Sequence, residues 1–114
     1  MSAVHVLQFN PAATQKLYVA LELAWGQWQL AFTTGMAQPP RLRTIPARDI
    51  VALALEIRRA KERFRLPADT PVISCYEAGR DGFWLHRYLE HHRVENLVVD
   101  SASIQGIRSL LRKP

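Results

Sequence analysis

The spacing of apolar residues changes in the middle of this 114-residue chain, and that change constrains its fold more than any other feature. Before residue 47, apolar residues form short runs or alternate with polar ones, as they do in β-strands. Over 47–65 they recur every three or four residues, as on one side of an amphipathic helix. Beyond Pro67, strand-type and helix-type segments alternate. This order predicts an α/β fold in which helices cover a mixed sheet.

The elements of the predicted fold are five strands and three helices. The strands cover 17–23, 27–33, 41–45, 71–76 and 94–99, and the helices cover 47–65, 81–91 and a segment that begins at 103. The first two strands form a hairpin through Trp25 and Gly26, and the first and fourth strands are expected to be neighbours. One domain is therefore predicted over 17–102. A loose or edge-strand extension over 1–16 precedes it, and a helical tail over 103–114 follows it.

The predicted core draws on the hairpin and on two helices. In the hairpin, Trp25, Trp28 and Phe32 are expected to pack inside the protein rather than to stack on nucleic-acid bases. The inner side of the first helix is predicted to consist of Ile50, Leu53, Ala54, Ile57, Ala60 and Phe64. The inner side of the second helix is predicted to consist of Trp84, Leu85, Tyr88 and Leu89, with Asp81 as its N-cap.

The composition excludes several classes of protein. With 48% hydrophobic and 22% charged residues, the chain is globular rather than disordered or fibrous. It has no apolar run of about 18 residues and no signal-peptide pattern at its start, so we expect a cytoplasmic protein without membrane contact. Cys75, the single cysteine, is expected in the core. The spacing of His86, His91 and His92 does not suit zinc, and these side chains are expected in solvent.

The charge balance favours an anionic partner. Fifteen Lys and Arg residues against ten Asp and Glu residues give a net charge of +5, and nucleic acid is the commonest partner of a basic domain. Five of the basic residues crowd the first predicted helix: Arg58, Arg59, Lys61, Arg63 and Arg65. This crowd is interpreted either as a solvated helix surface or as a nucleic-acid contact.

Two acidic residues occupy unusual positions. Glu22 interrupts an apolar strand, and Glu77 ends another. At the carboxyl end of neighbouring strands, two carboxylates could share a Mg²⁺ or Mn²⁺ ion, which prefers oxygen ligands and supports phosphodiester chemistry. Two simpler explanations stay open. Glu22 could face solvent on an edge strand, and Glu77 could simply precede a helix, where negative charge is favoured.

The chain resembles the one-ten group of insertion-sequence transposases. Glu77-Ala78-Gly79 matches a turn after the family's fourth strand, 83–89 matches an aromatic-rich helix, and Val98-Val99 matches a following strand. Upstream, VALELAWGQWQLAF from Val19 is similar to the family's first hairpin, and the segment 45–49, IPARD, suits a helix entry in one subgroup. The resemblance covers about residues 17 to 105.

This resemblance implies a fold and an activity. The family has a ribonuclease H-like, Holliday-junction-resolvase-like nuclease domain with a DEDD tetrad. Its acids bind Mg²⁺ and cut or join DNA during bacterial transposition and recombination, guided by a structured RNA. By the match, Glu22 takes the place of the first acid and Glu77 that of the second, as catalytic residues and metal ligands. Asp81 and Asp100 do not match tetrad positions.

Two departures from the family bear on activity. Position 22 carries Glu where most of the family has Asp, and the sequence from Gln105, QGIRSLLRKP, contains neither of the last two acids. We therefore expect a truncated nuclease domain with an incomplete site and no cleavage by this chain alone, which leaves its status as an enzyme open. The alternative is a degenerate, non-catalytic ribonuclease H-like module that binds nucleic acid or forms a homodimer. The sugar-kinase and chaperone branch of the fold is disfavoured, because the hairpin turn has a single glycine, Gly26.

Overall fold

The computed structural model describes residues 15–35, 38–79 and 81–99. The strands are β1 (Leu17–Leu23), β2 (Gln27–Thr33), β3 (Arg41–Pro46), β4 (Val72–Glu77) and β5 (Val94–Val99), and the helices are α1 (Ile50–Arg63) and α2 (Gly82–His91). Each agrees with a predicted element to within three residues at either end. The predicted tail over 103–114, Asp100, and the predicted extension up to residue 14 lie outside the described residues.

The described strands form one mixed sheet in the order β3-β2-β1-β4-β5. β1 pairs antiparallel with β2, and β2 pairs antiparallel with β3. β4 is parallel to both β1 and β5. The predicted α/β class and the predicted neighbourhood of the first and fourth strands are confirmed. The arrangement is consistent with a ribonuclease H-like fold.

Both helices pack on one side of the sheet, where the main core lies. Strand residues of this side include Leu17, Trp28 and Phe32, all fully buried, and the helices contribute residues such as Leu53 and Leu85. Side chains alternate between the two sides of a strand. Tyr18, Ile73 and Cys75 therefore belong to the opposite side, where they form a second, smaller buried cluster.

Helix α1 begins three residues later than predicted. Arg48 has a left-handed backbone, with φ at 66°, and Asp49 acts as the N-cap, its carboxylate accepting a hydrogen bond from the Ala52 backbone N–H. The predicted inner side of the helix also needs a correction. Ala54 is exposed, whereas Glu56, predicted on no apolar face, is buried against the sheet.

Helix α2 begins at Gly82, and the prediction for its N-cap is wrong in part. Asp81 occupies the cap position, but its side chain makes no capping hydrogen bond. Its carboxylate instead accepts a hydrogen bond from Trp84 Nε1 at 2.9 Å and one from Arg48 at 3.2 Å. Trp84 is partly exposed and stacks on buried Trp28, with ring centroids 6.0 Å apart.

No helix within the described part of the chain is long and apolar enough to cross a membrane.

Candidate functional site

The two unusual acids lie side by side at the carboxyl ends of two parallel strands. Leu21 of β1 pairs in register with Tyr76 of β4, and the next residue of each strand is Glu22 or Glu77. Both acids lie on the side of the sheet opposite the helices, because each is one residue beyond a core position. They line one pocket of about 380 Å³, whose lining residues are Leu21, Glu22, Leu23, Ala24, Trp25, Glu77, Ala78, Gly79 and Asp81.

This placement argues against the two simpler explanations of the acids. β1 lies in the middle of the sheet, so Glu22 is not on an edge strand. Glu77 ends β4 five positions before α2 begins at Gly82, so it is outside the first turn of that helix. Both side chains are half-buried. The two acids thus lie on neighbouring strands at one end of the sheet, as expected, and their role as catalytic residues and metal ligands stays a prediction.

Asp81 is the third carboxylate in the lining of the pocket, and it is 8% exposed. Each of its two oxygens already accepts a hydrogen bond, Oδ1 from Trp84 and Oδ2 from Arg48. Within residues 15–35, 38–79 and 81–99, no three His, Cys, Asp or Glu side chains are grouped so that they could hold a metal ion. The candidate metal ligands at this pocket are thus the two glutamates. The carboxylate of Asp81 holds the side chains of Trp84 and Arg48 in place.

Arg48 is a functional candidate that sequence analysis missed. Its guanidinium donates from Nη1 to Asp81 and from Nη2 to the Trp25 carbonyl oxygen, 3.0 Å away. It also lies over the Trp25 ring, 5.1 Å from the centroid. Arg48 thus brings a fixed positive charge to the rim of an acidic pocket. The residue falls within the predicted helix over 47–65, and nothing in that pattern indicates a role at the pocket.

Trp25 corrects the predicted hairpin core. Trp28 and Phe32 are fully buried as predicted, but Trp25 is 68% exposed and lines the pocket. The difference follows from the turn. Trp25 lies between the paired strands, beyond the last pair Leu23–Trp28, so strand alternation no longer directs its side chain into the core.

The basic residues of α1 lie toward the other end of the sheet. Helix α1 starts beside the pocket and rises about 20 Å over its length. Near its far end, Lys61 shares a second pocket with Val72 and Val94, the first residues of β4 and β5. The predicted nucleic-acid surface and the acid pair are therefore separated, and Arg48 is the arginine beside the acids.

Two of the five predicted nucleic-acid-binding residues have partners within the protein. Arg59 lies 3.5 Å from Glu56, and Lys61 donates to the Ala68 carbonyl oxygen at 2.7 Å. The other three, Arg58, Arg63 and Arg65, are exposed. A nucleic-acid contact through this helix would rest mainly on those three.

The histidine prediction is wrong for one of three residues. His91 and His92 are exposed as expected. His86 is half-buried, and its Nδ1 lies 3.0 Å from the side-chain amide nitrogen of Asn96. Asn96 in turn accepts a hydrogen bond from Ser74 at 2.7 Å. This chain of polar contacts ties α2 to β4 and β5, which is a structural role.

Cys75 is a core residue, as predicted. It is 1% exposed in the second cluster, and burial raises the pKa of its thiol to about 12. A thiol that stays protonated at neutral pH is a poor nucleophile.

Most of the chain is similar in sequence to a known protein. The chain is 36% identical over 96 residues to a protein of Sinorhizobium fredii (strain NBRC 101917 / NGR234) named "Putative transposase y4rJ". The match supports a transposase relationship. It covers 81% of this chain and 24% of the relative, so the chain spans about a quarter of the length of the transposase it matches. No family model and no solved structure matches the chain.

Proposed function

We propose that this domain contributes a pair of Mg²⁺ ligands, Glu22 and Glu77, to the DNA cleavage and joining chemistry of a transposase. The observation that carries the proposal is the register of β1 and β4, which brings the two acids into one pocket at the carboxyl ends of parallel strands. Ligands of open α/β sheets bind at such ends. The similarity of most of this chain to a protein named as a transposase supports the proposed link to transposition.

The residues present fit Mg²⁺. This ion is usually held by one or two carboxylates, with water and substrate phosphates in the remaining positions. Glu22 and Glu77 supply two carboxylates, and the pocket of about 380 Å³ leaves room for water and for a phosphate. When bound, Mg²⁺ would activate a water or hydroxyl nucleophile and stabilise the leaving oxygen. Two carboxylates side by side repel each other, and a cation between them would reduce that repulsion.

The protein's own residues contribute orientation and charge. Asp81 holds Arg48 at the pocket rim, where a guanidinium attracts the phosphate that the two acids would repel. Arg58 and Arg63 on α1, together with Arg65 just after it, are proposed as a separate contact to the backbone of DNA or of a structured guide RNA. The remaining ligands of a full tetrad are proposed to come from outside this chain, so the domain alone is expected not to cleave DNA.

The test is a metal titration with matched variants. Mn²⁺ binding is measured by electron paramagnetic resonance, with and without a short single-stranded DNA, for the wild-type chain, Glu22→Gln and Glu77→Gln. The control is Glu62→Gln, which removes an exposed carboxylate of α1 outside the pocket. We expect weak binding by the wild type, tighter binding with DNA, and a loss of about tenfold or more in either pocket variant.

Three results would contradict the proposal. Binding that is equal in all four proteins would show that the pair holds no metal, and the non-catalytic module would be the better account. Mg²⁺-dependent nicking of DNA by this chain, abolished in Glu77→Gln, would contradict the part of the proposal that draws further ligands from outside this chain. A stable homodimer that binds neither metal nor DNA would favour the interaction module directly.

A further inference from the structure

We infer that Trp25 and Arg48 form a clamp for an unpaired nucleotide at the mouth of the acidic pocket. The indole would stack on the base, and the guanidinium would bind the adjoining phosphate. This inference deepens the proposed function, on which it rests for the position of the phosphate. It names the substrate at this site as a single-stranded or unpaired nucleic-acid segment rather than intact duplex.

The first observation is that the side chain of Trp25 is largely exposed at the pocket. Trp25 is 68% exposed, although its neighbours Trp28 and Phe32 are fully buried. Trp25 lines the same pocket as Glu22 and Glu77. An exposed aromatic ring beside a pocket offers a flat surface on which any base can stack.

The second observation is that Arg48 is held in place beside this ring. Two of its nitrogens are fixed, one by the carboxylate of buried Asp81 and the other by the Trp25 carbonyl oxygen. A guanidinium carries five N–H donors, so donors are left for a phosphate beyond these two bonds. Because its geometry is already set, little side-chain entropy is lost when it binds an anion.

The third observation is strain in the backbone that carries Arg48. Its φ of 66° is in the left-handed region, which is unfavourable for a residue with a side chain. The following turn needs this conformation, since Asp49 then caps α1 and donates its own N–H to the Pro46 carbonyl oxygen. The strained residue is thus held by contacts on both sides, and its side chain is delivered to the pocket rim.

The geometry selects an unpaired nucleotide over duplex. In duplex, each base is already stacked between neighbours and cannot lie on a single protein ring. An unpaired base has a free face, and its phosphate can reach the guanidinium beside the same ring. The positive charge of the Arg48 guanidinium also offsets the repulsion between a phosphate and the two glutamates.

The experiment is a binding titration of a labelled short oligothymidine, followed by fluorescence anisotropy at low salt in EDTA. A labelled duplex of the same length is titrated in parallel. The variants are Trp25→Leu, Trp25→Tyr and Arg48→Lys. The matched control is Phe83→Leu, because Phe83 is another exposed ring under an arginine, with Arg87 5.4 Å from its centroid, but it does not line the pocket.

We expect Trp25→Leu to weaken single-strand binding by about tenfold, since stacking of one base on one aromatic ring contributes an effect of that order. Trp25→Tyr should restore most of the affinity, Arg48→Lys should lose part of it, and Phe83→Leu should match the wild type. Duplex binding should change little in any of them. Trp25 is exposed in a turn, so its replacement leaves the core intact.

The inference is overturned if Trp25→Leu binds the oligothymidine as the wild type does, if it loses single strand and duplex equally, or if the wild type shows no single-strand binding at low salt. Loss in Phe83→Leu equal to that in Trp25→Leu would point to a general aromatic surface instead. Because EDTA removes divalent cations, a failure of the metal site cannot change this result, and the two proposals fail separately.

Discussion

Arg43 of β3 and Glu56 of α1 form an ion pair, with 3.1 Å between Nε and Oε1. The Glu56 side chain is 8% exposed and Arg43 is 42% exposed, and Arg59 lies 3.5 Å from the same carboxylate. The pair joins β3, one of the two edge strands of the described sheet, to helix α1. It also explains how a carboxylate can occupy the buried side of an amphipathic helix, since a buried charge needs a partner.

Glu56→Gln is expected to lower the free energy of unfolding by about 1–2 kcal/mol. The change leaves Arg43 and Arg59 without their anionic partner, and because Arg43 is partly exposed the loss is smaller than for a fully buried pair. Urea denaturation measures the effect. Glu62→Gln, on the exposed side of the same helix, should stay within about 0.5 kcal/mol of the wild type. Equal losses of unfolding free energy in both variants would show that the ion pair contributes no more to stability than the exposed carboxylate of Glu62.

Cys75 is expected to resist thiol reagents in the folded protein. At about pH 8, a maleimide should label it in denaturant but not in buffer, because the reactive thiolate is suppressed by burial. Burial raises the pKa of the Cys75 thiol from 9.0 to about 12. Above pH 9 the unfolded chain therefore loses this proton while the folded chain keeps it, so stability falls as the pH rises through that range. Fast labelling of the native protein would contradict this.

Arg65 is expected to be a site where glycine stabilises the protein. It follows α1 in the left-handed region, with φ at 57°, and the N–H of Leu66 bonds to the Lys61 carbonyl oxygen, the pattern that most often has glycine at this place. Arg65→Gly should raise the free energy of unfolding by about 0.5–1 kcal/mol. Arg58→Gly, in the interior of the helix, should lower it by about 1 kcal/mol. A thermal melt of both variants measures the contrast.

Charge reversal on α1 is expected to weaken nucleic-acid binding. The double variant Arg58→Glu, Arg63→Glu changes exposed residues and leaves the contacts of Arg59 and Lys61 intact. Binding of duplex DNA and of a hairpin RNA should be weak, on the order of micromolar or weaker, and without sequence preference. It should fall steeply with salt, by a slope of about 0.9 per neutralised phosphate on duplex DNA.

The salt dependence separates this surface from the pocket. The double variant should show both lower affinity and a shallower salt slope, whereas Trp25→Leu should change affinity for single strand with little change in slope. Binding that ignores both salt and charge reversal would leave α1 a solvated helix surface.

Most of the fold could be predicted because local pattern and tertiary structure agree. In β2, Trp28, Leu30 and Phe32 alternate with polar residues and all three are buried. Helix boundaries were harder, because they depend on single backbone conformations. The 47–65 pattern carries no sign that Arg48 adopts a left-handed φ and delays the helix to Ile50.

The site could be predicted only where a charged residue interrupts an apolar pattern. Glu22 and Glu77 stand out in apolar strands, and the neighbourhood of their strands follows from the order of elements. Trp25, Arg48 and Asp81 gave no such signal. Each acts through a partner distant in sequence, since Arg48 is 33 positions from Asp81 and 23 positions from Trp25. Such contacts exist only after the chain has folded.

Because the register pairs Leu21 with Tyr76, the site depends on the number of residues in β1 more than on which residues these are. Many substitutions in β1 would leave Glu22 beside Glu77. A single-residue insertion or deletion within β1 would instead turn Glu22 toward the helices and carry Leu21 to the pocket side, because every side chain changes sides when a strand slips by one. Related sequences that keep this site should therefore tolerate many substitutions in the first strand. They should keep the same number of residues between the start of that strand and the turn at Gly26.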